Sequence, residues 1–143
     1  MIYTEMTKKA MKIAFQAHKE QTDKSGMPYI YHPIHLAEQM TDENSTCVAL
    51  LHDVVEDTDL TLSDLEQLGF NERILEALKL MTHIEGVPYM DYVAEIKLNP
   101  IAKAVKLADL NHNSDLSRLD KVDEKALERV EKYSSAIKLL EEV

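Results

Sequence analysis

The sequence has few of the residues that make turns. Its 143 residues include three glycines and four prolines, and there is no tryptophan. The many short strands of an all-β fold need more turn residues than this, whereas alanine, leucine, glutamate, lysine and methionine, which favour helices, are plentiful. The composition therefore predicts an all-α fold, and the length predicts a single domain over residues 1–143.

A cysteine pair and long apolar runs are also absent. Cys47 has no second cysteine to bond with, and its apolar neighbours favour a small core residue in a protein from a reducing compartment. No apolar stretch approaches the roughly 18 to 20 residues that span a bilayer, and the first residues lack the apolar segment of a signal peptide. We therefore expect a cytoplasmic protein without a membrane partner.

Positive charge is scarce. Sixteen lysines and arginines face 26 aspartates and glutamates, which gives a formal net charge of −10. An acidic surface repels polymeric nucleic acid and anionic membranes, so neither is expected as a partner. A small phosphorylated ligand remains compatible if a divalent cation and a few lysines reverse the field inside one pocket. The oligomeric state is left open, and a homodimer is one of the states allowed.

Capping residues and helix breakers predict a series of helices along the chain. Serine, threonine, asparagine and aspartate cap helix starts, proline suits the first helical positions, and glycine ends helices. The predicted starts are Thr4, Pro33, Asn44 or Ser45, Thr61, Asn71, Tyr89, Asn99 and Asp123. Residues 21–29 have the composition of a loop.

The third predicted helix carries four side chains that can bind a metal or transfer a proton. They are His52, Asp53, Glu56 and Asp57. The last two follow the first two by one helical turn, so all four share one edge of the helix. A charged segment that leaves a buried helix for solvent is the ordinary alternative. The surrounding valines and leucines instead predict partial burial, and a buried charge needs a partner or a metal.

Further metal-binding groups lie on the neighbouring predicted helices. His32 directly precedes Pro33, and Asp109 shares a helical face with Lys106 and Asn113. Taken alone, His32 also fits a hydrogen-bonded capping residue, and the face around Asp109 also fits a solvated amphipathic surface. His35 lacks comparable surroundings and is interpreted as structural.

Together these residues predict an open site for one divalent ion. Its candidate ligands are His32, His52, Asp53 and Asp109. Two imidazoles and two carboxylates suit Mn²⁺, Fe²⁺, Co²⁺ or Zn²⁺, and the absence of thiolates argues against a structural zinc site. The site is therefore predicted to be catalytic.

The stretches at residues 31–33, 50–58 and 105–113 resemble, in order, the motifs of the HD-domain metal-dependent phosphohydrolases. The branch they resemble contains the hydrolase domains of Rel/Spo-type proteins and the small alarmone hydrolases. The resemblance runs from about His18 to Asn113, and the His-Asp-x-x-Glu-Asp pattern is its most specific part. It implies a helical HD-domain fold in which the four candidate ligands hold one Mn²⁺.

The same resemblance implies roles for residues around the metal. Glu56 and Asp57 would handle the water and the protons of hydrolysis. Lys24 and Ser25 in the loop and Asn113 would contact a nucleotide, and Lys106 would offset the acidic surface around its phosphates. The implied substrate is guanosine 3′,5′-bis(diphosphate), which would lose pyrophosphate from its 3′ position.

Two positions depart from the family pattern. Asp23 stands where the family usually has an arginine that packs on guanine, and Asp115 replaces a basic residue that commonly follows the His-Asn pair. Two alternatives therefore remain open: a phosphatase or nucleotidase for a smaller phosphoester, and a metal-containing nucleotide sensor without turnover. The Glu56-Asp57 pair favours turnover, because a binding protein needs no proton acceptor beside its metal.

Overall fold

The computed structural model describes all 143 residues, and it confirms the predicted all-α fold. The helices are α1 (Glu5–His18), α2 (Tyr31–Glu38), α3 (Glu43–Asp57), α4 (Leu62–Gln67), α5 (Glu72–Met81), α6 (Tyr89–Lys97), α7 (Pro100–Asn113) and α8 (Glu124–Glu141). One turn of 3₁₀ helix at Leu116–Arg118 lies between α7 and α8. An isolated bridge between Thr22 and Pro28 is the one β-type pairing.

Five of the predicted caps are confirmed by side-chain hydrogen bonds. Each cap accepts a hydrogen bond from a backbone N–H in the first turn, which otherwise has no partner within the helix. These residues are Thr4, Thr61, Asn71, Asn99 and Asp123. Gly69, after α4, adopts a φ of +97°, a conformation that other residues rarely reach.

Two predicted helix starts were wrong. Helix α2 begins at Tyr31, so His32 lies inside its first turn and Pro33 is the third helical residue. Proline is tolerated there because the first backbone N–H groups of a helix have no intrahelical acceptor. The cap of α3 is Asp42, whose Oδ1 accepts from the backbone N–H of Ser45 at 2.7 Å. Neither Asn44 nor Ser45 caps this helix.

Helix α3 is the centre of the molecule, since α1, α2, α5 and α7 all pack against it. Every residue from Ser45 to Val54 is buried. Cys47 is fully buried on this helix, and burial, with the charge of Glu43 adding to it, raises the pKa of its thiol to about 12. No helix in the fold combines the length and apolarity needed to cross a membrane.

Two irregular segments lie side by side at one end of the fold. The loop at residues 21–29 folds back on itself through the Thr22–Pro28 bridge and turns at Gly26, where φ is +81°. The hydroxyl of Ser25 in this loop donates to the backbone carbonyl of Arg118 at 2.8 Å. This contact joins the loop to the 3₁₀ turn that follows α7.

Candidate metal centre

The four predicted metal ligands lie together although they come from three helices. His32 is in the first turn of α2, His52 and Asp53 lie on α3, and Asp109 lies on α7. All four side chains are buried. Because α2 and α7 both pack against α3, the ligands converge at the contact between the three helices.

Nitrogen and oxygen atoms alternate around the centre. The Nε2 of His32 lies 2.9 Å from Asp109 Oδ1 and 3.7 Å from Asp53 Oδ2. The Nε2 of His52 lies 3.1 Å from Asp53 Oδ2 and 3.7 Å from Asp109 Oδ1. Two ligands that each stand about 2.1 Å from one ion are separated by about 3.0 to 3.5 Å at octahedral or tetrahedral angles. The measured separations bracket this range. His32, His52 and Asp109 each offer a ligand atom within 4.8 Å of the others, and Asp53 Oδ2 adjoins both histidines.

The hydrogen bonds of His52 also suit a metal ligand. Its Nδ1 lies 2.7 Å from the backbone carbonyl of Ala49, which can only accept, so Nδ1 carries the hydrogen. In the neutral imidazole the Nε2 then keeps its lone pair, and the buried Nε2 atom makes no regular hydrogen bond. A divalent cation would satisfy that lone pair, as is usual for histidine ligands whose other nitrogen is held by a carbonyl.

His32 is held by His112, which the sequence analysis placed near the site without assigning it a role. The two rings are nearly parallel, with 5.0 Å between centroids and 2.7 Å between their Nδ1 atoms, so they meet edge to edge through a hydrogen bond. Burial, with the charges of Arg118, His32 and His35, lowers the pKa of His112 to about 4. A neutral His112 can accept a hydrogen bond from Nδ1–H of His32, which leaves the Nε2 of His32 free to bind an ion.

The two aspartates are stabilised as carboxylates. Burial alone would raise the pKa of Asp53, but the charge of a protonated His52 outweighs burial and lowers it to about 2, and a cation bound in place of that proton would act in the same direction. Asp109 behaves in the same way: the contacts with the imidazoles of His32 and His52 and the charge of Lys106 overcome burial and hold its pKa well below the usual range. Both side chains are therefore ionised at neutral pH, as metal binding requires.

Neighbouring polar groups fix the carboxylates in place. The hydroxyl of Tyr29 donates to Asp53 Oδ2 at 2.7 Å, and burial together with the charge of Asp53 raises the pKa of Tyr29 and keeps this hydroxyl a donor. Lys106 Nζ donates to Asp109 Oδ2 at 3.1 Å, and Asn113 Nδ2 donates to Asp109 Oδ1 at 3.1 Å. Lys106 and Asn113, both predicted substrate contacts, thus adjoin the metal centre directly.

Lys106 remains charged in its half-buried position. Burial alone would lower the pKa of this lysine, yet the charge of Asp109 and the neighbouring Tyr92 and Tyr89 raise it above the ordinary value. Its Nζ also lies 5.3 Å from the centroid of the Tyr92 ring. A permanent positive charge therefore stands beside the anionic ligand Asp109, which is a suitable position for contacting a phosphate.

The two predicted proton-transfer residues lie on the last turn of α3, just beyond the ligands. Both Glu56 and Asp57 reach solvent. Desolvation raises the pKa of both carboxyls; the charge of Lys106 opposes the shift of Glu56, and the charge of Asp53 adds to the shift in both. Neither forms a hydrogen bond within the metal centre. They are accessible acids with raised pKa values at the rim of the site.

A cleft of about 300 Å³ opens next to His32. Lys24, Ser25 and Asn113, which the sequence analysis predicted as substrate contacts, all line it. The two acidic departures, Asp23 and Asp115, line it as well. The remaining wall is formed by the 3₁₀ turn and by α8, through Leu116, Arg118, Leu119, Ala126, Arg129, Val130 and Tyr133.

Three residues around this centre, Tyr29, His112 and Arg118, were not predicted as site residues from the sequence. Tyr29 belongs to the Met-Pro-Tyr loop segment and His112 to the His-Asn pair, so each stood within a stretch already singled out. Arg118 had no such signal, because it follows α7 in a segment without helical periodicity. His35, interpreted as structural, stacks on His112 with 4.2 Å between ring centroids.

The chain belongs to the HD domain family, since its residues 10–132, which contain the whole metal centre, match that family. Among curated relatives, the mouse guanosine-3′,5′-bis(diphosphate) 3′-pyrophosphohydrolase MESH1 is 37% identical over 120 residues, which is 73% of this chain and 66% of MESH1. The bifunctional (p)ppGpp synthase/hydrolase SpoT of Escherichia coli K12 is 34% identical over 122 residues, 74% of this chain. Those residues make up 17% of SpoT, so the chain spans a small part of that longer relative.

A solved structure is similar over nearly the whole chain. It is that of a metazoan ortholog of SpoT described as hydrolysing ppGpp, with a TM-score of 0.77 and 24% sequence identity. The similarity covers 99% of this chain and 88% of the other. At this level of identity the comparison shows that the two proteins share a fold.

Proposed function

We propose that this protein is a metal-dependent phosphohydrolase that releases pyrophosphate from the 3′ position of guanosine 3′,5′-bis(diphosphate). The observation that carries the proposal is the buried ring of His32, His52, Asp53 and Asp109 beside an open cleft. The names of the curated relatives support the substrate, because MESH1 and others are named as 3′-pyrophosphohydrolases of this nucleotide.

We further propose Mn²⁺ as the ion, held by these four side chains. Two imidazoles and two carboxylates match its preference for mixed nitrogen and oxygen ligands. A bound divalent ion would polarise a phosphoryl oxygen and make a water molecule a better nucleophile near neutral pH. The protein prepares this site by holding both aspartates ionised and by turning the Nε2 atom of His52 toward the centre.

The other residues have separate tasks in this proposal. Glu56 or Asp57 accepts a proton from the attacking water, and a raised carboxyl pKa makes each a better base at neutral pH. Lys106 and Lys24 neutralise phosphate oxygens, and Asn113 donates hydrogen bonds from its amide. Ser25 lines the cleft beside Lys24. Direct attack by water needs positioning rather than a covalent intermediate.

A phosphatase or nucleotidase activity on a smaller phosphoester is the second candidate. The observation that favours it is the pair of carboxylates, Asp23 and Asp115, in the wall of the cleft. These negative charges repel a nucleotide that carries two diphosphate groups more than they repel a single phosphate. The two candidates share the metal centre and differ in what the cleft accepts.

The experiment is a hydrolysis screen of the purified protein supplied with Mn²⁺. The panel contains guanosine bis(diphosphate), ordinary nucleotides and simple phosphomonoesters, with the Asp53→Ala variant as the blank. Metal-dependent release of pyrophosphate from guanosine bis(diphosphate) is the expected result. Turnover of other phosphoesters alone would move the conclusion to the second candidate. Metal binding without turnover of any compound would contradict both and favour a nucleotide sensor.

A further inference from the structure

Arg118 connects the end of α7 with the 21–29 loop, two parts of the cleft that are far apart in the sequence. Its Nη1 donates to the backbone carbonyl of His112 at 2.8 Å and to Oδ1 of Asn113 at 3.5 Å. Its Nη2 lies 3.9 Å from Asp23 Oδ2 in the 21–29 loop, and its own carbonyl accepts from Ser25 in the same loop. The 3₁₀ turn is therefore fastened both to the end of α7 and to the loop that carries Lys24.

The contact with Asn113 determines which way its amide points. Arginine only donates, so the Asn113 atom that faces Arg118 must be the oxygen. The amide nitrogen then faces Asp109, and it donates to Oδ1 of this metal ligand at 3.1 Å. A continuous chain of contacts thus runs from Arg118 through Asn113 to the metal centre.

Asp23 belongs to the same network of contacts as Arg118. Its Oδ1 accepts from the backbone N–H groups of Ser25 and Met27, at 2.9 and 3.0 Å, which closes the turn that carries Lys24. Its Oδ2 faces Arg118. Because both oxygens already have partners within the protein, Asp23 holds the loop in shape, and Arg118 offsets its negative charge inside the cleft.

We propose that Arg118 is a positioning residue that presents Lys24 and Asn113 to the nucleotide. This inference rests on the proposed function and adds a determinant of substrate binding to it. Arginine suits the role because its planar guanidinium directs several donors along fixed lines, whereas the single ammonium of lysine does not. Arg118 acts through Asn113 and the loop, so its loss should weaken substrate binding more than the chemical step.

The first test compares kcat and KM for guanosine bis(diphosphate) in Arg118→Ala and Arg118→Lys. We expect KM to rise about tenfold in both variants, equivalent to losing one or two charge-assisted hydrogen bonds, with a smaller change in kcat. Lysine restores the positive charge but not the directed donors of the guanidinium, so a wild-type KM in Arg118→Lys would overturn the positioning role.

A double-mutant comparison then tests whether Arg118 acts through Asn113. In an Asn113→Ala background, Arg118→Ala should raise KM clearly less than it does in the unmodified protein. Arg129→Ala is the matched control, because Arg129 lines the same cleft from α8 but is not in the network. Its effect on KM should be the same in both backgrounds. If the Asn113→Ala background reduced the KM effects of Arg118→Ala and Arg129→Ala equally, Arg118 would contribute only its charge.

A second measurement does not depend on activity. Hydrogen exchange of the Ser25 and Met27 amides, followed by NMR, reports directly on the turn that Asp23 closes. We expect exchange at both amides to speed up in Arg118→Ala, while the amide of Ile74, capped by Asn71 elsewhere in the fold, stays unchanged. Unchanged exchange in the loop would overturn the inference. If loop exchange speeds up in Arg118→Ala but the unmodified protein hydrolyses no guanosine bis(diphosphate), the result would support the role of Arg118 in holding the loop. It would contradict the proposed function.

Should Arg118→Ala fail to fold, Asp23→Asn tests the same contact from the other side. Asparagine can still accept from the Ser25 and Met27 amides through its oxygen, but it cannot pair with a guanidinium by charge. Faster loop exchange in Asp23→Asn is the expected result. Exchange equal to that of the unmodified protein would show that the Asp23–Arg118 contact does not hold the loop.

Discussion

At the scale of single residues, one backbone contact decides what His52 can do. The Ala49 carbonyl accepts a hydrogen bond from Nδ1, so the Nε2 is the ring atom that faces the centre, and the neutral ring offers its lone pair there. His32 obtains the same orientation from a side chain, His112. Each imidazole is thus prepared by a group outside the set of ligands, and such outer contacts tune metal affinity as well as geometry.

The ligands and the proton acceptors should respond differently to substitution. Asp53→Asn removes a charge from the metal centre, so metal content measured by mass spectrometry should fall and activity should be lost with it. Glu56→Gln leaves the ligands intact, so metal content should be preserved while kcat falls by about 10² to 10⁴. Asp59→Asn removes an exposed carboxylate beyond α3 and is the control. Full activity in Glu56→Gln would exclude that residue from the mechanism.

At the scale of helices, α3 both forms the core and carries two ligands, so its end contacts matter to the whole fold. The Asp42 side chain accepts from the Ser45 backbone N–H and from the Ser45 hydroxyl, at 2.7 and 2.8 Å. This acceptor satisfies part of the first turn and places a negative charge at the positive end of the helix dipole.

Asp42→Ala should lower the free energy of unfolding by about 0.5 to 2 kcal/mol, because it removes this cap. Urea denaturation of the metal-free protein measures the change. Asp42→Asn is the control, since asparagine caps helices about as well and should cost much less. Equal losses in the two variants would show that the charge, rather than the hydrogen bond, provides the stabilisation.

The helix boundaries that the sequence predicted well are those set by local bonds. Thr61 and Asp64 form a capping box within four residues, and Asn99 with Pro100 starts α7 as expected. The predicted start of α3 was wrong because several consecutive polar residues, from Asp42 to Ser45, can each serve as a cap. Glu43 accepts from the Thr4 hydroxyl at 2.6 Å, a contact between two helices that local sequence does not reveal.

At the scale of the molecule, the candidate metal centre would connect α2, α3 and α7. An ion held by all three helices binds the folded state and not the unfolded chain, so it should stabilise the fold by mass action. Because the chain carries a net charge of −10, the ion should stabilise the fold further by neutralising charge where carboxylates converge.

Metal-free protein should therefore gain stability when Mn²⁺ is restored. At a free concentration about 100 times the measured Kd, the free energy of unfolding should rise by about 2.7 kcal/mol. Thermal or urea unfolding with and without the ion measures this gain. Asp109→Ala is the control, and it should show little or no gain. The same gain in that variant would place the bound ion elsewhere.

The sequence by itself determined the all-α fold, most caps and the identity of the four candidate ligands. The fold and the caps follow from composition and from hydrogen bonds between near neighbours, and the candidate ligands follow from the types of side chain within three short stretches, which are all local properties. Only the tertiary structure decided what lies between distant segments: the hydroxyl of Tyr29 on Asp53, the hydrogen bond between His112 and His32, and the place of Arg118 in the cleft. Their positions depend on how α2, α3, α7 and α8 pack, because contacts between residues far apart in the chain leave no periodic pattern in it.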